Sequence, residues 1–500
     1  MPSTLADFNS TTRQLRPDIR VDLALDATVE SQTDFLDNYT ILENVDGISG
    51  IKEMTLDAAF FVPNPSVNWA RKGRTVEADI LISSDDWVST YTAPLFRGST
   101  SRQNTLPLRE LKIKASSSNS DWLDLKASRQ VFLNQDISAI IQSLLVEVGV
   151  NIANISLAST GVVLPVYVIS DNISIREYIS DLAKGALIVV GFNRSGVFTR
   201  STLTPIDYTG NAFTADVTVN LDSTLNFRSR DIEGRYYYNR LIGRGATLRH
   251  ISNSQLDYKS ELTGYEILPG GKLYFTYEIP ETVPLEIKPF VGINPGNLLI
   301  SFGYQLNSFF AFHTSDDGNG SINNSTIVVN SQTIARDGDK DVLLVVFSNT
   351  SASTPFYLRT ILINGSGVQK TANLLERRDN DTNIVQDGKE TIFELSSNAI
   401  QTDVQLANLL SILELNLWRY SNCYTMTIRG RPEIELGTIL NFRDVLNNVV
   451  IGVVVEIDSE VSIDNGYTQE ITAKTISPAG PFFAFDVTGQ GFDQSGIPIY

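Results

Sequence analysis

Apolar and polar residues alternate with a period of two through the first quarter of the chain. Met54, Leu56, Ala58 and Phe60 alternate with Thr55, Asp57 and Ala59. Val76, Ala78, Ile80 and Ile82 repeat the pattern after a Lys72-Gly73-Arg74 turn, and Leu111, Ile113 and Ala115 repeat it against Glu110, Lys112 and Lys114. Successive side chains of a strand point to opposite faces, so each run offers one face to a core and one to water. Strands of this kind joined by Gly and Pro turns predict a small antiparallel barrel or sandwich over residues 1–115.

Residues 116–220 change period. Asp136 is placed to cap a helix whose apolar positions are Ile137, Ile140, Ile141, Leu144, Leu145 and Val148, with Gly149 as a left-handed stop. Ser174 and Glu177 have capping-box spacing and open a second helix through Ile179 and Leu182 to Gly185. A strand at 186–190, the turn Asn193-Arg194-Ser195-Gly196 and a strand at 197–200 complete an α+β unit.

Strands resume over 221–255, and residues 256–385 read as strands only, spaced by Gly, Asn, Asp and Ser turns like a β-sandwich. A capping pair, Thr402 and Gln405, starts a helix with Val404, Leu406, Leu409, Leu410, Leu413 and Leu417 on its apolar face. Two or three strands follow that helix and close the patterned part of the chain. The Pro/Gly-rich, aromatic 481–500 reads as an arm. The expected fold is mainly β, with an α+β portion and an inserted β-sandwich.

Composition narrows the function. An apolar fraction of 42% and a charged fraction of 19% belong to a globular chain, and 500 residues exceed what one core serves. A net charge of −18 disfavours both phosphate-backbone binding and anionic membrane surfaces. The single cysteine, Cys423, excludes an intrachain disulfide framework. No run of about twenty apolar residues predicts a membrane span, and the leader MPSTLADFNSTTRQLRP lacks a signal-peptide core, so a cytoplasmic origin is expected.

Candidate chemistry is sparse. His250 and His313 fall in different expected domains and in no ligand spacing. Asp337, Asp339 and Asp341, and the run Asp379 to Asn383, have the alternation of a calcium loop without the glycine and distal Glu of an EF-hand; they read as solvated turns. No phosphate-cradling glycine loop or nucleophile elbow occurs. The chain is therefore expected to be non-enzymatic, with no catalytic residue, metal or cofactor. Arg228, Arg230, Arg235, Arg240, Arg244 and Arg249 cluster with Tyr236, Tyr237 and Tyr238. Stacking and charge of this kind suit single-stranded nucleic acid, but in so acidic a chain a subunit interface is preferred. Its candidates are Arg235, Tyr236, Tyr238, Arg240 and Arg244.

The order of KGRTVEADILIS, LFRGSTSRQ and LRELKIKA, then ISIREYISDLAKGALIVVGFNRSGVFTR, YYYNRLIGRGA, RGRPEIELGTILNF and VVIGVVVEIDSEVSIDNGYTQEITAKTI resembles the baseplate hub family of contractile-tailed phages and its siphophage tail-hub relatives. Gly430, Pro432 and Gly437 fall at turns of that pattern; Thr438, where relatives often carry an acid, and the large 256–385 insertion depart from it. The resemblance implies two related, tube-like antiparallel β-barrel domains with the α+β domain between them, residues 1–115 and the pair 221–255 with 386–480, the second barrel being split by the insertion. It also implies a homotrimer in the virion tail that adapts a six-fold tail tube or distal tail ring to a three-fold spike or tip. Fibre or other baseplate proteins would be neighbours, and DNA would pass the channel without specific binding. Two other readings remain open: a receptor- or carbohydrate-binding protein using 256–385, with Tyr274, Phe309, Phe310 and Phe312 as stacking candidates, and a tail-associated lysin.

Overall fold

The computed structural model describes residues 14–22, 29–31, 36–45, 47–61, 75–83, 91–105, 110–117, 120–128, 130–169, 173–204, 215–219, 224–231, 238–259, 262–279, 282–286, 292–293, 300–302, 308–317, 326–337, 340–418, 423–443, 449–462 and 466–475. The arm at 481–500 lies outside them. The chain is mainly β, with helices confined to the α+β portion and to the segment before the last strands.

The alternation read from the first region is the observed burial. Met54, Leu56, Ala58, Val76, Ala78, Ile80, Ile113 and Ala115 all pack in one cluster, joined by Tyr39, Ile41 and Phe96. Their strands run in the order Leu36–Val45, Gly50–Phe61, Glu110–Ser117, Tyr91–Thr105, Thr75–Ser83, Gln14–Asp22. The C-terminal strands follow the order Thr224–Asp231, Cys423–Arg429, Gly466–Thr475, Val449–Ser462. They enclose a second cluster that includes Met426, Ile428, Leu440, Phe442, Val454 and Ile471.

The two sets do not form separate closed barrels among the described residues, which corrects the expectation. Val449–Ser462 is 14 residues long. Its first half pairs with Ile439–Arg443, and Ile457 to Ser462 of its second half pair antiparallel with Glu43 to Asn38. One strand with an edge longer than its neighbour leaves unpaired amides, and Leu36–Val45 takes them up. The result is a single 16-stranded sheet crossing from one β-unit to the other.

Between the units lies the α+β portion. Asp136 caps Ile137–Glu147 as expected, accepting from the Ser138 amide at 2.8 Å, and Gly149 takes φ +92° after its end. Ser174 caps Ile175–Ala186 with Glu177. The helix runs one residue past the expected Gly185, to Ala186, and Leu187, at φ 50°, is its left-handed cap. A Cβ on Gly185 would stand 2.5 Å from that of Ala399, so it is a close-packing glycine. Val189–Phe192 and Phe198–Ser201 form the hairpin, and Val189 continues onto Gly50 of the first unit in parallel.

Arg240–Lys259 and Phe356–Asp379 pair antiparallel, with three register shifts, as a ribbon that runs across position 256 into the inserted region. There the sheet containing Ser308–His313 and Phe356–Asp379 faces a three-stranded sheet of Lys272–Ile279, Lys340–Asn349 and Ile327–Asp337. Phe347 contacts Phe310 and Phe312 across the gap, each at 5.0 Å between ring centres. At the other end the helix Asp403–Leu417 lies against the ribbon at Gly243, and Ile400 just before the helix lies against Gly245. Gln405 donates its amide to Thr402 Oγ1, but its side-chain oxygen accepts from Gln401 rather than from Thr402.

Candidate functional site

The expected interface residues sit at the end of the ribbon away from the inserted sheets. Arg235 and Tyr236 lie outside the described residues. Tyr238 packs edge-on against Phe393 at 5.1 Å, and its amide donates to the Leu417 carbonyl. Asn239 is fully buried: its side chain donates to Asp387 Oδ2 at 3.0 Å and the Lys389 carbonyl at 2.9 Å, and accepts from the Thr391 amide at 2.7 Å. This asparagine ties the start of the ribbon to the loop before Ile392–Ser396, the strand that pairs in parallel with Arg240 to Arg244.

Three rows then cross the strands: Asp379, Arg240 and Ile392; Arg377, Ile242 and Glu394; Leu375, Arg244 and Ser396. Arg240 Nε donates to Asp379 Oδ1 at 2.7 Å and its Nη1 to Glu390; Arg377 also pairs with Asp379, and Arg244 pairs with Glu394. Arg377 holds the Asp379 carboxyl below the usual carboxylate range, with Arg240 adding to the effect. Each of these arginines therefore has an intrachain carboxylate that would compete with a phosphate for it. Among the charges, Leu375 and Ile392 are 64% and 49% exposed. Exposed aliphatics between paired charges have the chemistry of a protein-contact face.

A second site was not legible in the sequence. Arg194, in the turn of the Val189–Ser201 hairpin, is 1% exposed. Its Nε donates to Glu43 Oε1 at 2.5 Å and its Nη1 to the Pro432 carbonyl at 3.0 Å, with Tyr467 Oη at 3.5 Å. One side chain of the α+β portion thus reaches a strand of the first β-unit and two segments of the second. Lys52 extends the node, 4.0 Å from Glu43 Oε2 and 3.6 Å from Glu435. Burial favours the neutral guanidine, but Glu43, then Tyr467 and Glu435, outweigh it and hold Arg194 more firmly protonated than usual. Burial pushes the Tyr467 phenol up to about 12 against the pull of Arg194. Asn193 and Gly196 announce a turn, but nothing local marks the arginine between them as inward-facing.

The remaining candidates fall into structural places. His250 and His313 lie on one sheet rather than in different domains, opposite Val368 and Tyr357 of the shared strand. Eleven positions along a strand separate them by roughly 36 Å, so they form no pair. Phe310 and Phe312 are core residues, whereas Tyr274 is 74% exposed; the Phe309 side chain lies outside the described residues. Asp379 serves the arginines, and Asn380 caps the Asp381–Asp387 helix. Among the described residues no group of three or more His, Cys, Asp and Glu side chains is arranged to hold a metal ion.

One cleft of about 370 Å³ separates the Ile175–Ala186 helix from Gly50–Phe61, lined by Asn44, Ser49, Glu53, Arg176, Ser180 and Lys184. Arg176 spans its edge, 2.7 Å from Glu53 and 2.9 Å from Asp124.

No family model matches the chain, and no curated protein matches it. Among solved structures it is similar to a 43 kDa tail protein of prophage MuSo2 from Shewanella oneidensis, at 10% identity and a TM-score of 0.45 over 91% of this chain and 98% of that one. It is similar to a tail protein from Neisseria meningitidis MC58, at 9% identity and 0.46 over 92% and 96%. A third likeness, at 8% identity and 0.36 over 92% and 77%, is to an Escherichia coli type VI secretion component described as structurally similar to T4 phage tail proteins.

Proposed function

We propose that the chain is a non-enzymatic structural protein of a phage-type tail, a hub that trimerises and adapts a six-fold tube to a three-fold spike or tip. The supporting observation is the pairing of Ile457 to Ser462 with Asn38 to Glu43, which holds the two β-units edge to edge in one sheet. Two units fixed side by side are what a three-copy ring needs to offer six similar modules to a six-fold neighbour. The ordered segments that resemble tail hubs lie in these units and in the α+β portion between them. In this reading both units are tube-like and DNA passes beside them, where an acidic chain does not retain it.

The test is the solution mass. A species near three times 55.2 kDa, able to bind purified tube and spike subunits, is the expected result. A chain that stays monomeric at high concentration and in the presence of those subunits overturns the adaptor role.

A further inference from the structure

The proposed trimer raises a physical question. Copies carrying a net charge of −18 repel one another, so they meet only where local charge departs from that average. The ribbon face is such a place. Leaving out Arg378, which turns to the covering helix, and its partner Glu376, residues 240–250, 366–379 and 390–396 hold five Lys and Arg against three Asp and Glu. Arg244 and Arg377 are each about half exposed there, on either side of Ile242 and beside the exposed Leu375 and Ile392. The opposite side of the ribbon is covered by the Asp403–Leu417 helix, which leaves this face as the one turned outward.

The same chain carries a complementary surface. Glu456, Asp458 and Glu460 occupy alternate positions of Val449–Ser462, on its outward side, and Glu470 stands opposite Asp458 on the next strand. On the other side Asp458 and Glu460 adjoin Leu42 and Thr40 of the first β-unit, so the acidic row lies over the seam between the units. Like charges directly opposite one another on a sheet face work against folding. The acidic neighbours and partial burial also raise the Asp458 carboxyl above its ordinary value, burial contributing most.

We propose that the ribbon face around Arg244, Leu375 and Arg377 docks on the acidic row around Asp458 and Glu460 of a second copy of this chain. Two different faces of one chain meeting in this way make a head-to-tail contact, which closes into a ring when the rotation allows. The intrachain pairs of Arg244 and Arg377 are exposed and therefore weak, so exchanging partners costs little. The aliphatic side chains supply the area that charge alone does not. This inference rests on the trimeric reading and assigns its contact.

Charge reversal tests it on the full chain. Mass measurements at low and high salt compare the wild type with R244E/R377E, with D458K/E460K, and with all four changes combined. The expected result is a trimer that each double variant weakens roughly tenfold or more per reversed pair and that the quadruple variant restores. High salt is expected to weaken the wild type and the quadruple variant alike. Reversals that leave the trimer unchanged, or a quadruple variant that folds but stays dissociated, overturn the docking while the trimer stands. A monomeric wild type overturns both. Thermal unfolding verifies that each variant folds. Should a reversal fail to fold, Leu375→Asp replaces it, since that side chain points to solvent; it is expected to dissociate the trimer, and an unchanged mass counts against the contact.

Discussion

Arg194 and Glu43 stand 151 positions apart in sequence and meet Nε to Oε1 at 2.5 Å with almost no exposure to water. Removing one partner of such a pair strands the other as an uncompensated buried charge, whereas removing both avoids that cost. Arg194→Met is therefore expected to destabilise the chain by about 3 kcal/mol, and Arg194→Met with Glu43→Leu to recover most of the loss. Chemical unfolding of the single and double variants measures this. A double variant no more stable than Arg194→Met would show that Lys52 and the carbonyl contacts, rather than Glu43, set the cost.

Gly245 is held to a bare backbone by the approach of the helix segment. A Cβ there would lie 2.3 Å from the Ile400 carbonyl oxygen, a backbone atom that yields only if the segment shifts. Overpacking of this kind costs about 1–3 kcal/mol, so Gly245→Ala is expected to lower the melting temperature clearly. Gly243→Ala meets the tip of the Leu406 side chain instead and is expected to cost less. Calorimetry of the two variants gives the order.

Lys474 gives a pH dependence with a definite sign. Burial brings its amine from 10.5 down to about 8, against a smaller opposing pull from Cys423, while Nζ donates to the Asn416 carbonyl at 2.7 Å. Between those values the unfolded chain holds more protons than the folded one, so stability rises with pH. The contribution is complete above 10.5 and lost as pH falls through about 8, up to about 3 kcal/mol. Tyr467, pushed up to about 12, acts oppositely above pH 10, which makes pH 8 to 10 the window to read. Denaturant midpoints across that window are expected to rise in the wild type and to flatten in Lys474→Met.

Asp136 does more than cap its helix. Besides Ser138 it accepts from Ser159 Oγ at 2.8 Å, the Thr160 amide at 3.1 Å and the Gly161 amide at 2.9 Å, so it also closes the loop before Val163–Ile169. Asp136→Ala is expected to cost about 2 kcal/mol, the upper range for a lost cap. Hydrogen exchange at Thr160 and Gly161 is expected to accelerate more than in the helix centre.

Local chemistry was legible and distant pairing was not. Ser174 with Glu177, and Asp136 with its helix, follow from side chains that satisfy amides within three residues. The alternation around Met54 and Ile113 identified the core face because one face of a strand is either buried or wet. Gly185 marked the end of its helix to within one residue, but its close packing on Ala399, far along the chain, has no local signal. The seam escaped notice for the same reason: Val449–Ser462 reads as a strand in any partnership, and its match to Leu36–Val45 is a property of the folded whole. Arg240 and Arg244 were singled out by type and spacing. Their carboxylates, Asp379 and Glu394, come from segments that meet them only across the ribbon.

The ribbon has a mechanical consequence. Arg240 and Asp379 are its hub ends, and the inserted sheets hang from the other end of both strands. A pull on the insertion then travels down two covalent backbones together, leaving the hydrogen bonds between them nearly unstressed. Sideways force is different. It bends the pair, and bending concentrates where pairing steps out of register, between Thr247 and Leu248, Ile251 and Ser254, and Gln255 and Asp257. The insertion is thus tethered like a weight on a twin cable, stiff in tension and compliant at three joints.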